Sequence, residues 1–241
     1  MRNYLSFGGG VNSVALYLHL VNQGVDFEAV FVDHGTDWPE TYEYLDMFQD
    51  FIAKRGWPSI TVLRPFVQTQ DNLYDFCWQQ KSIPSFMHRW CTDKFKIRCL
   101  HKYFKKPGVE MLGIDFGEIK RAKIQCRDGF ECRYPLIEAE IDRPACKALI
   151  KSYGLNPPMK SGCYICPFQK RSQWIELRRK HPCLFQKAVD LEQRNIDYRL
   201  SVGKKPMYLS QSYKSPLPEV VNERQNMLWV EEEYPPCVCR V

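Results

Sequence analysis

The stretch Met1-Arg-Asn-Tyr-Leu-Ser-Phe-Gly-Gly-Gly-Val-Asn-Ser13, running on into Val14-Ala-Leu-Tyr-Leu-His-Leu20, decides the fold. Tyr4 to Phe7 reads as a short buried strand. Gly8, Gly9 and Gly10 form a turn that can take positive φ and bring backbone close to a ligand. Val14, Leu16, Leu18 and Leu20, with Ala15 and Val21, read as a buried helix. A glycine turn between a strand and a helix presents free N–H groups and the positive end of the helix dipole, which suits a phosphate. The Gly-Lys-Ser/Thr ending of an ordinary phosphate loop is missing, and so is the spacing of a dinucleotide fingerprint. A tight turn with no ligand is the plain alternative.

Working outward, strands alternate with helices. Phe27 to Val32 and Ser59 to Leu63 read as strands, with a helix from Pro39 to about Lys54 between them. Asp71 to Gln80 looks helical. Thr92 can cap a basic helix from Asp93 to Phe104, and Val109 to Ile114 is a fourth strand. This alternation argues for βαβ units and a parallel sheet. Gly117 to Arg133 reads as a loop. Asp142 caps a helix with Pro144 in its first turn, and Gly154 to Pro158 stops it. Helices follow from Ser172 to Lys180 and Pro182 to Asn195, and the chain reads as irregular from Ile196. The expected division is a nucleotide-binding part over 1–140 and a helical, cysteine-bearing part over 141–241.

The chain has 241 residues, is 44% hydrophobic and carries a net charge of +6, enough for a proper core and suited to an anionic nucleotide. No run of about 18 apolar residues occurs, so no membrane partner is expected. The start has no basic-then-apolar signal region, and the expected location is the cytoplasm. Eleven cysteines in such a chain argue against a disulfide framework and for metal or sulfur chemistry.

Three further segments carry chemistry. Val32-Asp33-His34-Gly35-Thr36-Asp37-Trp38-Pro39-Glu40-Thr41 puts a carboxylate at a strand's C-terminal end, where open α/β sheets bind ligands; a mere turn cap is the alternative. Cys163-Tyr-Ile-Cys166-Pro can chelate one ion or cluster through two thiolates. No second Cys-x-x-Cys exists, so the partner is distant, and Cys91 in His88-Arg-Trp-Cys-Thr-Asp-Lys94 is the best candidate. Cys99 would lie about 12 Å along a helix from Cys91, too far for the same cluster; Cys183, Cys146 and His88 stay open as a fourth ligand. A structural zinc, or buried thiols with no ligand, are the alternatives. Gly113-Ile-Asp-Phe-Gly-Glu-Ile-Lys120-Arg121 follows the fourth strand with two cations. The basic residues of 94–106 and 170–180, interleaved with aromatics such as Trp90 and Trp174, can grip a nucleic acid; a solvated helix face is the plainer reading.

Together these segments resemble the PP-loop ATP pyrophosphatases, in particular the phosphoadenylyl-sulfate and adenylyl-sulfate reductase-like family of iron–sulfur type. Gly9, Gly10 and Ser13 match the Ser-Gly-Gly-x-Asp-Ser loop, while Gly8 stands for its Ser and Asn12 for its Asp. The second segment resembles Asp-Thr-Gly-x-x-Phe-Pro-Glu-Thr, with His34 for Thr and Trp38 for Phe. The third resembles Gly-Ile-x-x-x-Glu-x-x-Arg. The cysteine layout resembles that of iron–sulfur reductases, with Trp90-Cys91 in place of their Cys-Cys pair. The resemblance reaches from Tyr4 to about Leu191.

It implies a Rossmann-like α/β fold of the adenine nucleotide alpha-hydrolase type with a C-terminal helical extension. It implies ATP, or adenylyl sulfate or PAPS, held with Mg²⁺ by Ser6, Gly8, Gly9, Gly10, Asn12, Ser13, Asp33, Gly35 and Gly113. Asn12, Ser13, Lys120 and Arg121 would serve catalysis, and Cys91, Cys163 and Cys166 would hold a [4Fe-4S] cluster, or Zn²⁺ in the alternative. Cys237-Val-Cys239 partly resembles a near-terminal nucleophilic cysteine segment, and Cys239 would accept a persulfide or attack the nucleotide; incidental tail cysteines are the alternative. Two enzymes compete: ATP-driven thiolation, with a nucleic acid as acceptor and a cysteine desulfurase as partner, and reduction of PAPS or adenylyl sulfate to sulfite with a thioredoxin-like partner. The absent Cys-Cys pair favours thiolation. A zinc-stapled nucleotide-binding module is the third expectation.

Overall fold

The structure is a computed structural model that describes residues 1–122, 126–159 and 161–222. Its centre is a five-stranded, all-parallel sheet in the order β3-β2-β1-β4-β5. The strands are β1 Arg2–Ser6, β2 Glu28–Val32, β3 Ile60–Leu63, β4 Gly108–Leu112 and β5 Phe130–Arg133. This is the Rossmann-like parallel sheet that the alternation of elements predicts. Successive strands run outward from β1 in one direction and then, from β4, in the other. The switch point therefore lies between β1 and β4, the place where such sheets bind ligands beyond the strands' carboxyl ends.

Strand periodicity explains the layers. Leu5, Phe7, Ala29, Phe31, Val109 and Met111 face one side. There they pack under α1 (Val11–Asn22), α2 (Pro39–Ala53) and α7 (Arg143–Ser152), with Leu136 of α6 (Pro135–Glu138) in the same cluster. Tyr4, Val30 and Val32 face the other side, against Leu100 and Phe104 at the end of α5 (Arg98–Tyr103). Both faces are covered, so the central strands read as continuous apolar runs. Helix α1 is buried on nearly every side, from Val11 through Leu20.

A second apolar cluster joins distant parts of the chain. Leu73, Phe76 and Cys77 of α3 (Leu73–Gln79) meet Trp38 and Phe95. They pack with Trp174 and Leu177 of α8 (Arg171–Lys180) and Phe185, Ala188 and Leu191 of α9 (Pro182–Ser201). Glu192 of α9, 1% exposed, accepts the backbone N–H groups of Leu209 and Leu217, each at 2.7 Å. Those bonds tie the following segment and α10 (Leu217–Val220) to the helix.

Four local readings change. The expected loop over 117–133 contains a 3-10 helix, Phe116–Arg121, and β5. Strand β5 is a polar edge strand whose alternate residues are exposed, so it carries no apolar run to read. The basic helix is α4 (Trp90–Thr92), then a wide π turn over Asp93–Ile97, then α5. Thr92 thus sits inside helical structure rather than capping it. Helix α9 continues to Ser201, past the expected end at Asn195. Finally, Cys126 and Cys132 are paired as a disulfide, with Cα atoms 5.7 Å apart, where thiols were expected. It closes a loop of six residues and is a local clasp, not a framework.

Candidate functional site

The glycine turn follows β1 at the switch point. Gly9 has φ +69, and a Cβ there would stand 3.0 Å from Thr41 Cγ2. Only glycine fits both the left-handed backbone and the space. Ser13 fixes the turn: it accepts from Gly10 N at 3.1 Å and donates to Gly10 O at 2.9 Å. Gly113, just beyond β4, packs on this turn; its Cβ would meet Ser13 N at 3.1 Å.

The Asp33–Thr41 segment and the cysteine turn are zipped together by backbone. Trp38 N donates to Gly162 O at 3.0 Å, and Tyr164 N donates to Thr36 O at 2.8 Å. The cysteine turn also reaches the glycines, since a Cβ on Gly10 would stand 2.7 Å from Ser161 Oγ. Three segments far apart in sequence therefore form one wall.

They enclose a cleft that opens to solvent. Gly8, Gly10, Asn12, Ser13, Gly113 and Arg121 line it, together with Cys91, Cys163 and Cys166. So do residues not expected in the site, including His34, Arg89, Lys96, Glu118 and Arg143. The π turn accounts for Lys96: it brings residues five apart onto one face, so Cys91 and Lys96 both reach the cleft.

Other expected residues lie elsewhere. Ser6 is buried and donates to Glu110 at 3.1 Å, inside the sheet. Gly9 shapes the turn without lining the cleft. Asp33 accepts from Gly35 N at 2.9 Å and Tyr42 OH at 2.8 Å, and Gly35 borders a separate hollow with Tyr42 and Tyr74. Lys120 is exposed and does not line the cleft. Cys237 and Cys239 lie outside the described residues.

Burial sets the protonation of the groups in the wall. His34, 2% exposed, has its pKa pushed down to about 4 by desolvation, which Asp37 opposes. Its Nε2 faces Asp37 Oδ2 at 3.4 Å and its Nδ1 lies 2.7 Å from Thr36 Oγ1. Cys163 Sγ donates to Thr36 Oγ1 at 3.0 Å. A neutral imidazole with its proton on Nε2 satisfies every group in this chain. Burial also pushes the Cys91 and Cys163 thiols up. Glu118 is raised by burial and held back by Arg121, with which it forms an ion pair.

Three sulfur donors on one cleft wall suit a thiophilic centre. Among the described residues, no three His, Cys, Asp or Glu side chains are grouped so as to hold a single metal ion. Thiolates on one zinc stand about 3.8 Å apart, given Zn–S bonds of about 2.3 Å. The donor set itself, three cysteines lining one cleft, is of the kind that an iron–sulfur cluster or a zinc ion uses. Of the open fourth ligands, Cys146 lies on α7 and packs in the core, and Cys183 and His88 are exposed; Cys99, set aside as too distant, packs on the opposite face of the sheet. Cys77, which the sequence reading passed over, packs in the apolar cluster that Cys91 and Cys163 border.

The basic stretches are partly committed to the fold. Arg171 donates to Val220 O at 2.7 Å, Arg178 faces Val221 O at 3.4 Å, and Lys180 pairs with Glu176 at 2.7 Å. Arg98 pairs with Asp93 at 2.6 Å.

Fold and site together define a doubly wound α/β protein with a glycine turn and a thiol-lined cleft at its switch point. No family model matches the chain. An uncharacterised protein of Methanocaldococcus jannaschii is 25% identical over 213 residues, covering 80% of this chain and 49% of the relative. The chain thus spans about half the length of the curated relative it matches. A crystal structure of phosphoadenylyl-sulfate (PAPS) reductase from Candida auris, in complex with phosphate, is similar with a TM-score of 0.47 at 15% identity. That likeness covers 66% of this chain and 75% of the other. Among the described residues, no helix is long and apolar enough to cross a membrane.

Proposed function

We propose that the protein is an adenine-nucleotide enzyme of sulfur transfer, which activates an acceptor with ATP and replaces an acceptor oxygen with sulfur. One observation carries this reading: the glycine turn and three cysteines from two distant segments line the same cleft. The turn's N–H groups and the N-terminus of α1 receive the phosphates. Arg89, Lys96 and Arg121 add positive charge along the walls. Catalysis is then positioning and charge stabilisation at the α-phosphorus. The acceptor oxygen bonds to that phosphorus as the bond to pyrophosphate breaks. Hydrosulfide next bonds to the acceptor carbon as the C–O bond to AMP breaks; where a cysteine desulfurase persulfide is the donor, a second thiol then cleaves its S–S bond and is oxidised to the disulfide. Mg²⁺ enters as the counter-ion of ATP.

Cys91, Cys163 and Cys166 hold a [4Fe-4S] cluster in this reading. When bound, it supplies iron that can hold sulfur beside the nucleotide. Thr36 and His34 orient the Cys163 sulfur from behind. The acceptor proposed is a nucleic acid, because Lys94, over the Trp90 ring, adds a cation and an aromatic ring on the segment that supplies Cys91.

The test is product analysis on anaerobically prepared protein. ATP with an RNA or DNA acceptor and sulfide should release pyrophosphate. Sulfite release from PAPS or adenylyl sulfate, without pyrophosphate from ATP, would replace this reading with the reductase. Loss of that sulfite in Cys239→Ser would place the nucleophile in the tail.

A further inference from the structure

We propose that Arg143 is an anion-binding group of the cleft, aimed by Asp115 through the amide of Asn12. Three observations carry this. Arg143 lines the cleft beside Asn12, Glu118 and Arg121. It does so from the first turn of α7, where a cation faces the positive end of the helix dipole. The helix itself therefore disfavours a guanidinium at this position, and something else must hold it.

That something is a chain of three polar side chains. Asn12 Nδ2 donates to Asp115 Oδ2 at 2.9 Å, and Arg143 Nη1 faces Asn12 Oδ1 at 3.5 Å. A carboxylate can only accept, so the amide must turn its nitrogen to Asp115 and its oxygen to Arg143. Asp115 is 2% exposed just beyond β4, which makes it a fixed anchor. The neutral amide passes the pull of a buried carboxylate to a cation at the cleft surface without closing that cation into an ion pair. An Asp at position 12 would set two carboxylates against each other at hydrogen-bond distance. The departure from the PP-loop pattern at Asn12 thus has a structural partner in Asp115.

The ligand class is a phosphoryl oxyanion seated on the glycine turn, which a guanidinium grips with two N–H groups. Only the identity of that anion as part of a nucleotide rests on the function proposed above. Arg143 touches the ligand; Asn12 and Asp115 are positioning residues.

The experiment is calorimetric titration of the full chain with ATP, inorganic pyrophosphate and adenosine, with melting temperatures recorded alongside. Arg143→Ala should weaken ATP and pyrophosphate at least tenfold and leave adenosine unchanged. Arg143→Lys should weaken them less, and it carries the test if the alanine variant does not fold. Asn12→Asp should weaken both anions, and the exchange Asn12→Asp/Asp115→Asn, which removes the clash of carboxylates but closes Arg143 into an ion pair with position 12, should recover melting temperature without recovering the anions. Anion affinities that do not respond to Arg143, or a double variant that binds both anions like wild type, would overturn the proposal. Pyrophosphate bound in an Arg143-dependent manner with no ATP binding supports it and overturns the nucleotide reading instead. A chain that binds neither anion overturns both.

Discussion

Gly113→Ala tests how tightly the sheet is fitted to the glycine turn. A Cβ at this position would stand 3.1 Å from Ser13 N and 3.2 Å from both the carbonyl carbon and oxygen of Asn12. Ordinary contact begins at 3.4 Å, so a few tenths of an ångström must open. All three neighbours are backbone, and no side-chain rotation can relieve them. Overpacking of this kind costs about 1–3 kcal/mol. For a chain of this size that lowers Tm by about 2–12 °C. If half of a 3 kcal/mol strain falls on the phosphate seat, ATP affinity drops about tenfold. Gly162→Ala is the matched control: Gly162 lines the same cleft, yet a Cβ there meets nothing within 4 Å. Its melting temperature should shift by no more than the change of about 0.5 kcal/mol usual at undemanding sites. Scanning calorimetry with an ATP titration reads both variants. A Gly113→Ala protein that melts and binds like wild type, or a Gly162→Ala protein that falls as far, refutes the reasoning.

Gly9→Ala combines a left-handed backbone with the Thr41 contact, and the backbone part alone should cost about 1–2 kcal/mol by chemical denaturation. Glu192 has its pKa raised to about 7 by burial. Its contribution is full below the unfolded value of 4.5 and is lost as pH rises through about 7, so Glu192→Gln should remove a stability decline across that window in urea melts. His34 has the opposite sign: its pKa falls from 6.5 to about 4, so its contribution is present above 6.5 and lost as pH falls through about 4. His34→Asn should therefore lose acid sensitivity over that range, and the two variants should bend the same pH–stability curve in opposite directions.

Much of the fold was legible because the central strands are buried on both faces and announce themselves as apolar runs. The glycine turn was legible from its place between a strand and a buried helix. Strand β5 was not, because an edge strand with alternating exposed residues looks like a loop. The cleft was legible where chemistry and chain position coincide, as at Gly10, Cys91 and Cys163. Arg143 was not, because an arginine after a capping Asp142 reads only as the start of a helix. Lys96 was hidden by the π turn, which shifts side chains by one position relative to a regular helix. The zipper between Thr36–Trp38 and Gly162–Tyr164 is a contact across more than a hundred residues, and no local pattern encodes it.

The central claim is that Cys91, Cys163 and Cys166 share one inorganic centre beside the glycine turn. Iron, acid-labile sulfide and zinc, measured on anaerobically purified wild type and on serine variants of single cysteines, test it most directly. The account predicts about four irons and four sulfides per chain, as a [4Fe-4S] cluster requires. Cys91→Ser, Cys163→Ser and Cys166→Ser should each lose them, whereas Cys99→Ser and Cys183→Ser should keep them. Stoichiometric zinc without sulfide, or a Cys91→Ser protein that retains its full iron, would contradict it.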